Sequence, residues 1–362
     1  MQYVDEYRMP ERVKPLIDRI RRITSRPWKI MEVCGGQTHA ILRYGLEELL
    51  PPEVAMIHGP GCPVCVTPAE LIDWALALAA LPEVILCSFG DMMRVPGSGK
   101  DLLTAKAEGA DVRTVYSPLE AVELARRFPE REVIFFAIGF ETTAPANAMA
   151  VLQAEKENLS NFSLLSAQVA IPPAIEAILT GEAQVEGLLA PGHVCAVTGW
   201  KRYRLVSQKY SIPVAVTGFE PADILQGILA VLLRLENRTP GVDNVYARAV
   251  REEGNIPAQA AVNKVFRTVD RNWRGLGIIP ESGLDLQPEY AVYDAAVKFE
   301  GLTEISGEKR YDCPAGQVLQ GLIKPPDCFA FGKECTPDSP LGAPMVSSEG
   351  ACAAYFKYKH RL

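Results

Sequence analysis

Short apolar runs alternate with longer amphipathic segments along most of this chain, and this alternation restricts its fold more than any other feature. Each run has the length of a buried strand, most end at Gly, Pro or a small polar residue, and a helical pattern then follows. The runs lie near residues 30–33, 54–57, 84–89, 112–116, 133–138, 164–170, 185–189 and 212–216. This order predicts an α/β protein with parallel sheets covered by helices.

Turns with similar residues recur in the same order in two parts of the chain. Cys34–Ala40 resembles Gly139–Ala144, and two later pairs match in the same way, 58–62 with 190–193 and 89–92 with 217–220. We therefore predict two similar parallel-sheet lobes, residues 28–138 and 139–235. Residues 1–27, which have a helical pattern, are assigned with residues 236–362 to a third domain, which includes a helical piece around Ala258–Val269.

Charge and hydropathy exclude several classes of protein. The 362 residues carry 37 basic and 44 acidic side chains, a net charge of −7, without a run of Lys or Arg. This balance argues against a nucleic-acid partner. The charged N-terminus lacks a secretory signal, and Pro82 and Glu83 interrupt the longest apolar stretch, Ala75–Phe89, so no membrane span is expected. A cytoplasmic location is predicted.

Four cysteines near the C-terminus form the clearest candidate for a metal centre. They are Cys313, Cys328, Cys335 and Cys352, separated by 14, 6 and 16 residues. Four thiolates suit a zinc ion or an iron–sulfur cluster. Structural zinc sites usually contain a close pair such as C-x₂-C, which is missing here, so the spacing favours a [4Fe–4S] cluster. Four unligated core cysteines are the remaining alternative.

A second candidate is the pair in Cys62-Pro63-Val64-Cys65. Because cytosolic thiols are kept reduced, a C-x-x-C beside a strand-to-helix turn is typical of a dithiol/disulfide couple. A helix beginning near Thr67 would lower the pKa of a thiol there. Half of a zinc site is the alternative.

A third candidate is Cys34, in a Gly-Gly turn between a predicted strand and helix. The helix N-terminus favours a thiolate, which is both a nucleophile and a metal ligand, although a structural role is the alternative for a single cysteine. Three of the four histidines, His39, His58 and His193, also follow predicted strands, as do Asp91 and Glu141. Strand-end turns of parallel sheets meet at one edge, so we expect one shared cleft.

Taken together, these motifs resemble the HypD family of [NiFe]-hydrogenase maturation proteins. The resemblance covers nearly the whole chain. One departure is Gln37, where the family pattern often has a histidine within CGGHTH; glutamine can form hydrogen bonds but cannot titrate. The matching segments are 34–39, 59–65, 89–97, 139–145, 190–193 and the four C-terminal cysteines.

The resemblance implies a scaffold on which the Fe(CN)₂CO unit of a hydrogenase is assembled, rather than a conventional turnover enzyme. It implies that Cys34 binds the iron, that a HypC-type chaperone supplies a second cysteine, and that a HypE-type protein supplies cyanide. Cys62 and Cys65 would relay electrons from the [4Fe–4S] cluster. Thr38, His39, His58 or His193 would donate hydrogen bonds to the cyanide nitrogens.

Two other functions fit the same residues. One is an iron–sulfur-dependent disulfide reductase that acts on a partner protein through Cys62 and Cys65. The other is a zinc-stabilised binding module without a redox role.

Overall fold

The computed structural model describes residues 4–302 and 313–359. Residues 303–312, part of the predicted third domain, and His360, the fourth histidine, lie outside the described residues. The strands form two mainly parallel sheets flanked by helices, which confirms the predicted α/β class. No helix in the described ranges is long and apolar enough to cross a membrane.

The strands within these ranges are short, and most are buried, as the apolar runs predict. They are β1 (Trp28–Glu32), β2 (Val54–His58), β3 (Val84–Ser88), β4 (Val112–Thr114), β5 (Glu132–Gly139), β6 (Phe162–Val169), β7 (Gly187–Pro191), β8 (Pro213–Thr217), β9 (Gly241–Asn244), β10 (Phe266–Trp273) and β11 (Gly277–Leu286).

The α-helices follow in the gaps between strands. They are α1 (Pro10–Ile23), α2 (Gly35–Arg43), α3 (Leu46–Leu49), α4 (Pro63–Val66), α5 (Ala69–Ala79), α6 (Leu102–Ala107), α7 (Pro118–Arg127), α8 (Ala144–Glu157), α9 (Ile171–Leu179), α10 (Gly192–Thr198), α11 (Lys201–Tyr210), α12 (Pro221–Glu236), α13 (Ile256–Val265), α14 (Ala295–Lys298), α15 (Ala315–Leu319), α16 (Ala343–Val346) and α17 (Ala351–Lys359).

The two sheets divide the chain differently from the predicted ranges. The first has the order β2-β1-β7-β8-β9 and is parallel throughout. The second has the order β10-β11-β6-β5-β3-β4, with β3 to β6 parallel and the β10–β11 hairpin antiparallel. Residues 28–138 therefore contribute strands to both sheets, as do residues 139–235. The sheets therefore do not follow the boundaries of the two predicted lobes, because β1 pairs with the distant β7 rather than with β3.

The segment after residue 236 also contributes to these sheets. Strand β9 closes one edge of the first sheet, and the hairpin extends the second. The predicted helix around Ala258–Val269 ends earlier, at Val265, where the chain continues into β10. The C-terminal portion of the predicted third domain has less regular structure, because α15, α16 and α17 are the only α-helices among residues 313–359.

Helix α1 packs against α12, on the first sheet, and not against the C-terminal cysteine segment. Its apolar positions repeat at helical spacing, and Ile17 and Ile20 are buried in the same core as Ile228 and Leu232. Matching apolar stripes on two helices drive this contact. The sequence-based grouping of residues 1–27 with residues 236–362 is therefore not reflected in the packing.

Candidate metal and thiol site

Cys34 lies where β1 ends and α2 begins. In the parallel sheet, β1 has β2 on one side and β7 on the other, so the turns that follow all three strands meet at one edge. These turns carry Cys34, Cys62 and His193. The prediction of a cleft that brings Cys34, the C-x-x-C and a histidine together is thus supported by the strand order.

Cys34 is 3% exposed, and an imidazole lies against its thiol. His193 Nδ1 lies 3.7 Å from Cys34 Sγ. The ring of Phe219, from the turn after β8, lies with its centroid 5.3 Å from that of His193. Burial lowers the pKa of His193 to about 4, so its imidazole is neutral near pH 7. The thiol therefore faces a neutral and largely apolar wall.

Burial raises the pKa of the Cys34 thiol far above its usual range, and the Glu32 and Glu349 carboxylates raise it further. The expectation that the helix N-terminus would favour a thiolate is therefore wrong, because burial outweighs the dipole. A bound metal cation offsets both effects, since metal binding releases the thiol proton and neutralises the nearby carboxylates. The site is suited to a thiolate that exists only when a cation is bound.

Glu32 organises the Cys34 turn from behind, although it was not singled out in the sequence. It is fully buried at the end of β1. Its Oε2 accepts a hydrogen bond of 2.8 Å from the backbone N–H of Cys34, and its Oε1 accepts one from the Thr38 hydroxyl. The hydroxyl of Thr38 is thus committed to Glu32, which leaves it unsuited to the role of cyanide donor.

His58 also binds Glu32 and does not face the thiol. Its Nδ1 lies 2.7 Å from Glu32 Oε1, and its Nε2 lies 3.6 Å from Glu47 Oε1, an ion-pair distance too long for a hydrogen bond. Burial opposes protonation, but the two carboxylates prevail and raise the pKa of His58 to about 9. With both ring nitrogens directed at carboxylates, His58 cannot donate to cyanide in this conformation.

His39 and Gln37 make contacts away from the thiol. His39 Nε2 lies 2.9 Å from the Tyr358 hydroxyl on α17, and burial lowers the pKa of His39. The fully buried Gln37 donates from Nε2 to the Ala190 carbonyl at 3.3 Å, which ties α2 to β7. The hydrogen bond from Gln37 to the Ala190 carbonyl needs a donor at position 37, but it does not need a group that titrates.

Asp91 and Glu141, the two carboxylates predicted to reach the cleft, have other partners. Asp91 Oδ2 accepts a hydrogen bond of 3.1 Å from Ser347 Oγ. Glu141 Oε1 accepts one of 3.0 Å from the Ile171 N–H, and burial raises the pKa of Glu141 to about 7. Neither contact involves Cys34, so the structure gives these carboxylates no direct role at the thiol.

Cys62 and Cys65 form a disulfide, with their Cα atoms 5.2 Å apart. Cys62 caps the short helix α4, and the longer helix α5 begins only at Ala69. The turn before Cys62 lies directly against the Cys34 turn, because Gly35 N–H donates to the Gly61 carbonyl at 2.9 Å. A Cβ added to Gly61 would lie 2.5 Å from Cys34 Cα, so only glycine allows this approach.

The other side of the disulfide faces the C-terminal cysteine segment. Cys65 Sγ lies 3.9 Å from the Ala343 carbonyl. The preceding residue, Gly342, packs against Cys313, such that a Cβ added to Gly342 would overlap the Cys313 sulfur and lie 3.3 Å from its Cβ. One short stretch of backbone thus separates the disulfide from Cys313.

The four C-terminal cysteines share one neighbourhood. Cys328, Cys335 and Cys352 belong to one apolar cluster with Ala330 and Met345. Burial raises the pKa of Cys352, and charge on each of the other three cysteines raises it further. Burial also raises the pKa of Cys313 to about 11. The backbone N–H of Leu341 donates to Cys335 Sγ at 3.4 Å, a contact that stabilises a thiolate.

This donor set has the chemistry that an iron–sulfur cluster needs. A zinc site needs all four sulfurs about 2.3 Å from one centre. A [4Fe–4S] cluster attaches each thiolate to a different iron atom, so its ligands stand further apart. Four neighbouring thiols, Cys313, Cys328, Cys335 and Cys352, are a ligand set of the kind that such a cluster takes.

A cavity of about 700 Å³ opens beside this cysteine group. Its wall includes Cys313, Gly342 and Arg274, together with the glycine-rich loop 97–99. The cavity brings solvent close to Cys313.

Comparison with known proteins shows the family to which this chain belongs. Residues 11–359 match the sequence model of the HypD family, described as the hydrogenase formation HypA family. The chain belongs to the HypD family. It is 47% identical to the hydrogenase maturation factor HypD2 of Bradyrhizobium diazoefficiens, over 99% of this chain and 97% of the relative. It is also 45% identical to the hydrogenase maturation factor HypD of Escherichia coli K12, over 100% of this chain and 99% of the relative. The resemblance seen in the motifs is confirmed, and it supports a role in hydrogenase maturation.

Sequence reasoning found the cysteines but missed three residues of their surroundings. Glu32 carried a signal, because a lone charged residue in the buried run Ile30–Val33 needs a partner. Phe219 lies within the recurring turn 217–220, but nothing in the sequence distinguishes its ring from an ordinary core residue. Glu47 carried no signal, since a glutamate in Leu46-Glu47-Glu48-Leu49 is typical of a solvated helix.

Proposed function

We propose that this chain is the scaffold on which the Fe(CN)₂CO unit of a [NiFe] hydrogenase is assembled, with a thiol and iron–sulfur redox relay. The observation that carries the proposal is the order of sulfur groups through the protein. Cys34 packs against the turn of Cys62, the disulfide partner Cys65 faces Ala343, and Gly342 packs against Cys313. A single thiol, a disulfide and a group of four cysteines therefore follow one another in space, and a short stretch of backbone separates each from the next.

Cys34 would bind the iron of the cargo as a thiolate. Low-spin iron with strong-field ligands suits a soft sulfur donor. The Glu32 and Glu349 charges favour a cation at this position, and the half-buried rings of His193 and Phe219 would partly shield carbonyl and cyanide ligands from water. Of the three histidines among the described residues, His193 is the one near enough to donate to a cyanide nitrogen on this iron, in contrast to His39 and His58.

The cysteines Cys313, Cys328, Cys335 and Cys352 would hold a [4Fe–4S] cluster, which supplies one-electron chemistry when bound. Reduction of the Cys62–Cys65 disulfide takes two electrons and two protons and gives two thiols. Cys65 faces the cluster side and Cys62 faces the Cys34 side, so the pair is suited to relay electrons between them. An external one-electron donor would supply these electrons, and the cavity beside Cys313 offers it an approach.

Two partner proteins complete the proposal. A HypC-type chaperone would provide a second cysteine ligand to the iron, and a HypE-type protein would provide cyanide. The family assignment to hydrogenase maturation supports partners of this kind. With one thiolate from this chain, the iron needs further ligands from outside it.

The test is infrared spectroscopy of the protein copurified with its small chaperone. We expect Cys34→Ala to lose the cyanide and carbonyl stretches completely while keeping the visible absorption of the cluster. Cys87→Ala is the matched control, because Cys87 is a fully buried thiol within β3 and should leave the bands in place. Full band intensity in Cys34→Ala would refute the iron ligand, and loss in both variants would indicate a folding defect.

The disulfide reductase is the second candidate, favoured only by the disulfide itself. It predicts a different outcome for Cys34→Ala, because a reductase acting through Cys62 and Cys65 would reduce a partner's disulfide without Cys34. Retained reductase activity combined with an absence of infrared bands in the unmutated protein would favour it over the scaffold.

A further inference from the structure

Three ionisable side chains meet in the interior directly behind Cys34. Glu32 is completely buried, the His58 side chain is 4% exposed and the Glu47 side chain is 10% exposed. Burying charge is costly unless each group is paired and hydrogen-bonded. Such a group beside a reactive thiol points to a role in the site, although buried ion pairs also occur for structural reasons alone.

The contacts run in one direction from the thiol residue to the outside. Glu32 holds the Cys34 N–H at 2.8 Å, and His58 Nδ1 holds Glu32 at 2.7 Å. His58 Nε2 faces Glu47 at 3.6 Å, and Glu47 in turn binds Lys359 and lies 3.4 Å from Lys324. Of Glu32, His58 and Glu47, only Glu32 contacts the Cys34 backbone. The orientation of Glu32 depends in turn on its contact with His58.

Helix α17 is connected to the same group. The Tyr355 ring packs edge-on against His58, with centroids 5.5 Å apart, and its hydroxyl lies 3.4 Å from Glu47 Oε1. Lys359 is one turn further along this helix. Because Cys352 lies in the first turn of α17, the helix joins the cysteine group to the Cys34 turn.

We propose that Glu47 and His58 are positioning residues for Cys34, acting through Glu32. The bridge Glu32–His58–Glu47 fixes the backbone of Cys34 in the orientation that points its sulfur at His193, and α17 locks the bridge from outside. This inference rests on the proposed function only in the identity of the metal that Cys34 binds. The positioning of Cys34 is a property of the protein without that metal.

The first experiment measures how fast iodoacetamide alkylates Cys34 in the full-length, cluster-containing protein, with mass spectrometry of each cysteine peptide. In Glu47→Gln we expect the Cys34 rate to rise about fivefold, the effect of roughly 1 kcal/mol less protection. The rate at Cys195, a fully buried thiol in the helix after β7, should stay within about twofold. Equal increases at both cysteines, or no increase at Cys34, would overturn the proposal.

The matched control is Glu48→Gln. Glu48 is adjacent, loses the same charge and also pairs with Lys359, but its side chain is 54% exposed and it has no contact with His58. We expect Glu48→Gln to leave the Cys34 rate unchanged. A rise like that of Glu47→Gln would assign the effect to net charge on α3 and refute positioning.

A second readout follows the His58 ring by nitrogen NMR at pH 7.5. We expect two protonated ring nitrogens in the unmutated protein and a neutral ring in Glu47→Gln, which a purely steric role for Glu47 would not produce. A neutral ring in the unmutated protein would refute the bridge. If Cys34→Ala retains its infrared bands while Glu47→Gln still exposes Cys34 selectively, the proposed function fails and the positioning inference stands.

Discussion

In our proposal, the Cys34 turn and the C-terminal cysteine group both bind metal through cysteine thiolates. The two sites are held in place by different means. The Cys34 turn lies between a buried strand and a nine-residue helix, with its backbone fixed by Glu32 and Gly61. The four cysteines lie on segments whose α-helices have five, four and nine residues. The first site is organised by the fold before metal binds, whereas the second depends on the group that its thiolates bind.

This difference has a thermodynamic counterpart. A preformed site gains little folding energy from its ligand, while a site assembled by its ligand takes much of its stability from binding. Loss of a ligand residue should therefore unfold the region around the cysteine group but leave the Cys34 turn folded.

Cys328→Ala should have the largest effect and tests this contrast directly. We expect it to abolish cluster iron and to expose the backbone of residues 313–359, because three thiolates and a shallow core cannot hold the segment together. Iron analysis and hydrogen exchange of anaerobic protein measure the two effects.

The control for that change is again Cys87→Ala, which should keep its iron. Iron content in Cys328→Ala equal to that of the control would refute the cysteine assignment. Exchange that increases uniformly over both sheets would show that the two regions are not independent.

His58→Gln should have the next largest effect. Removing one partner from a buried ion-paired group leaves carboxylates without compensation and costs about 3–5 kcal/mol. We expect the free energy of unfolding to fall by roughly that amount, as measured by denaturant titration at pH 6.5. A loss below about 1 kcal/mol would show that the buried bridge is not paired as described.

The same variant has a pH dependence of defined sign. The pKa of His58 is raised from 6.5 to about 9 in the folded protein, so its stabilising effect is complete below pH 6.5 and declines as pH rises through 9. The difference between the unmutated protein and His58→Gln should therefore shrink between pH 6.5 and 9. A difference that grows over this range would mean that His58 is neutral when folded.

Gly342→Ala should have a smaller effect, confined to the connection between the two regions. The new Cβ would overlap the Cys313 sulfur, and overpacking of this kind costs about 1–3 kcal/mol. We expect slower reduction of the Cys62–Cys65 disulfide by a one-electron donor, as measured by thiol trapping. Gly90→Ala is the control, because its Cβ would meet only Thr114 at an ordinary 3.5 Å; equal rates in both variants would contradict the relay.

The alternating pattern was sufficient for the α/β class and for the turns that carry Cys34, Cys62 and His193, because both follow from local periodicity and from the geometry of parallel strands. The pairing of β1 with β7 could not be predicted from this pattern, because strand order depends on contacts between distant segments. The pKa of Cys34 was misjudged because the helix dipole is visible in sequence and burial is not. The role of Glu47 could not be predicted either, because its contact with His58 joins two different elements, α3 and β2.

The long-range pairing in the first sheet affects how the chain is made. Ile30 on β1 pairs with Gly187 on β7, 157 residues further along. At a translation rate of about 5–20 residues per second, the ribosome needs roughly 8–30 s to deliver that neighbour. Throughout this interval the apolar β1 has only β2 beside it, and an open strand edge is prone to aggregation. Nascent chains of this protein should therefore engage a general chaperone until β7 emerges.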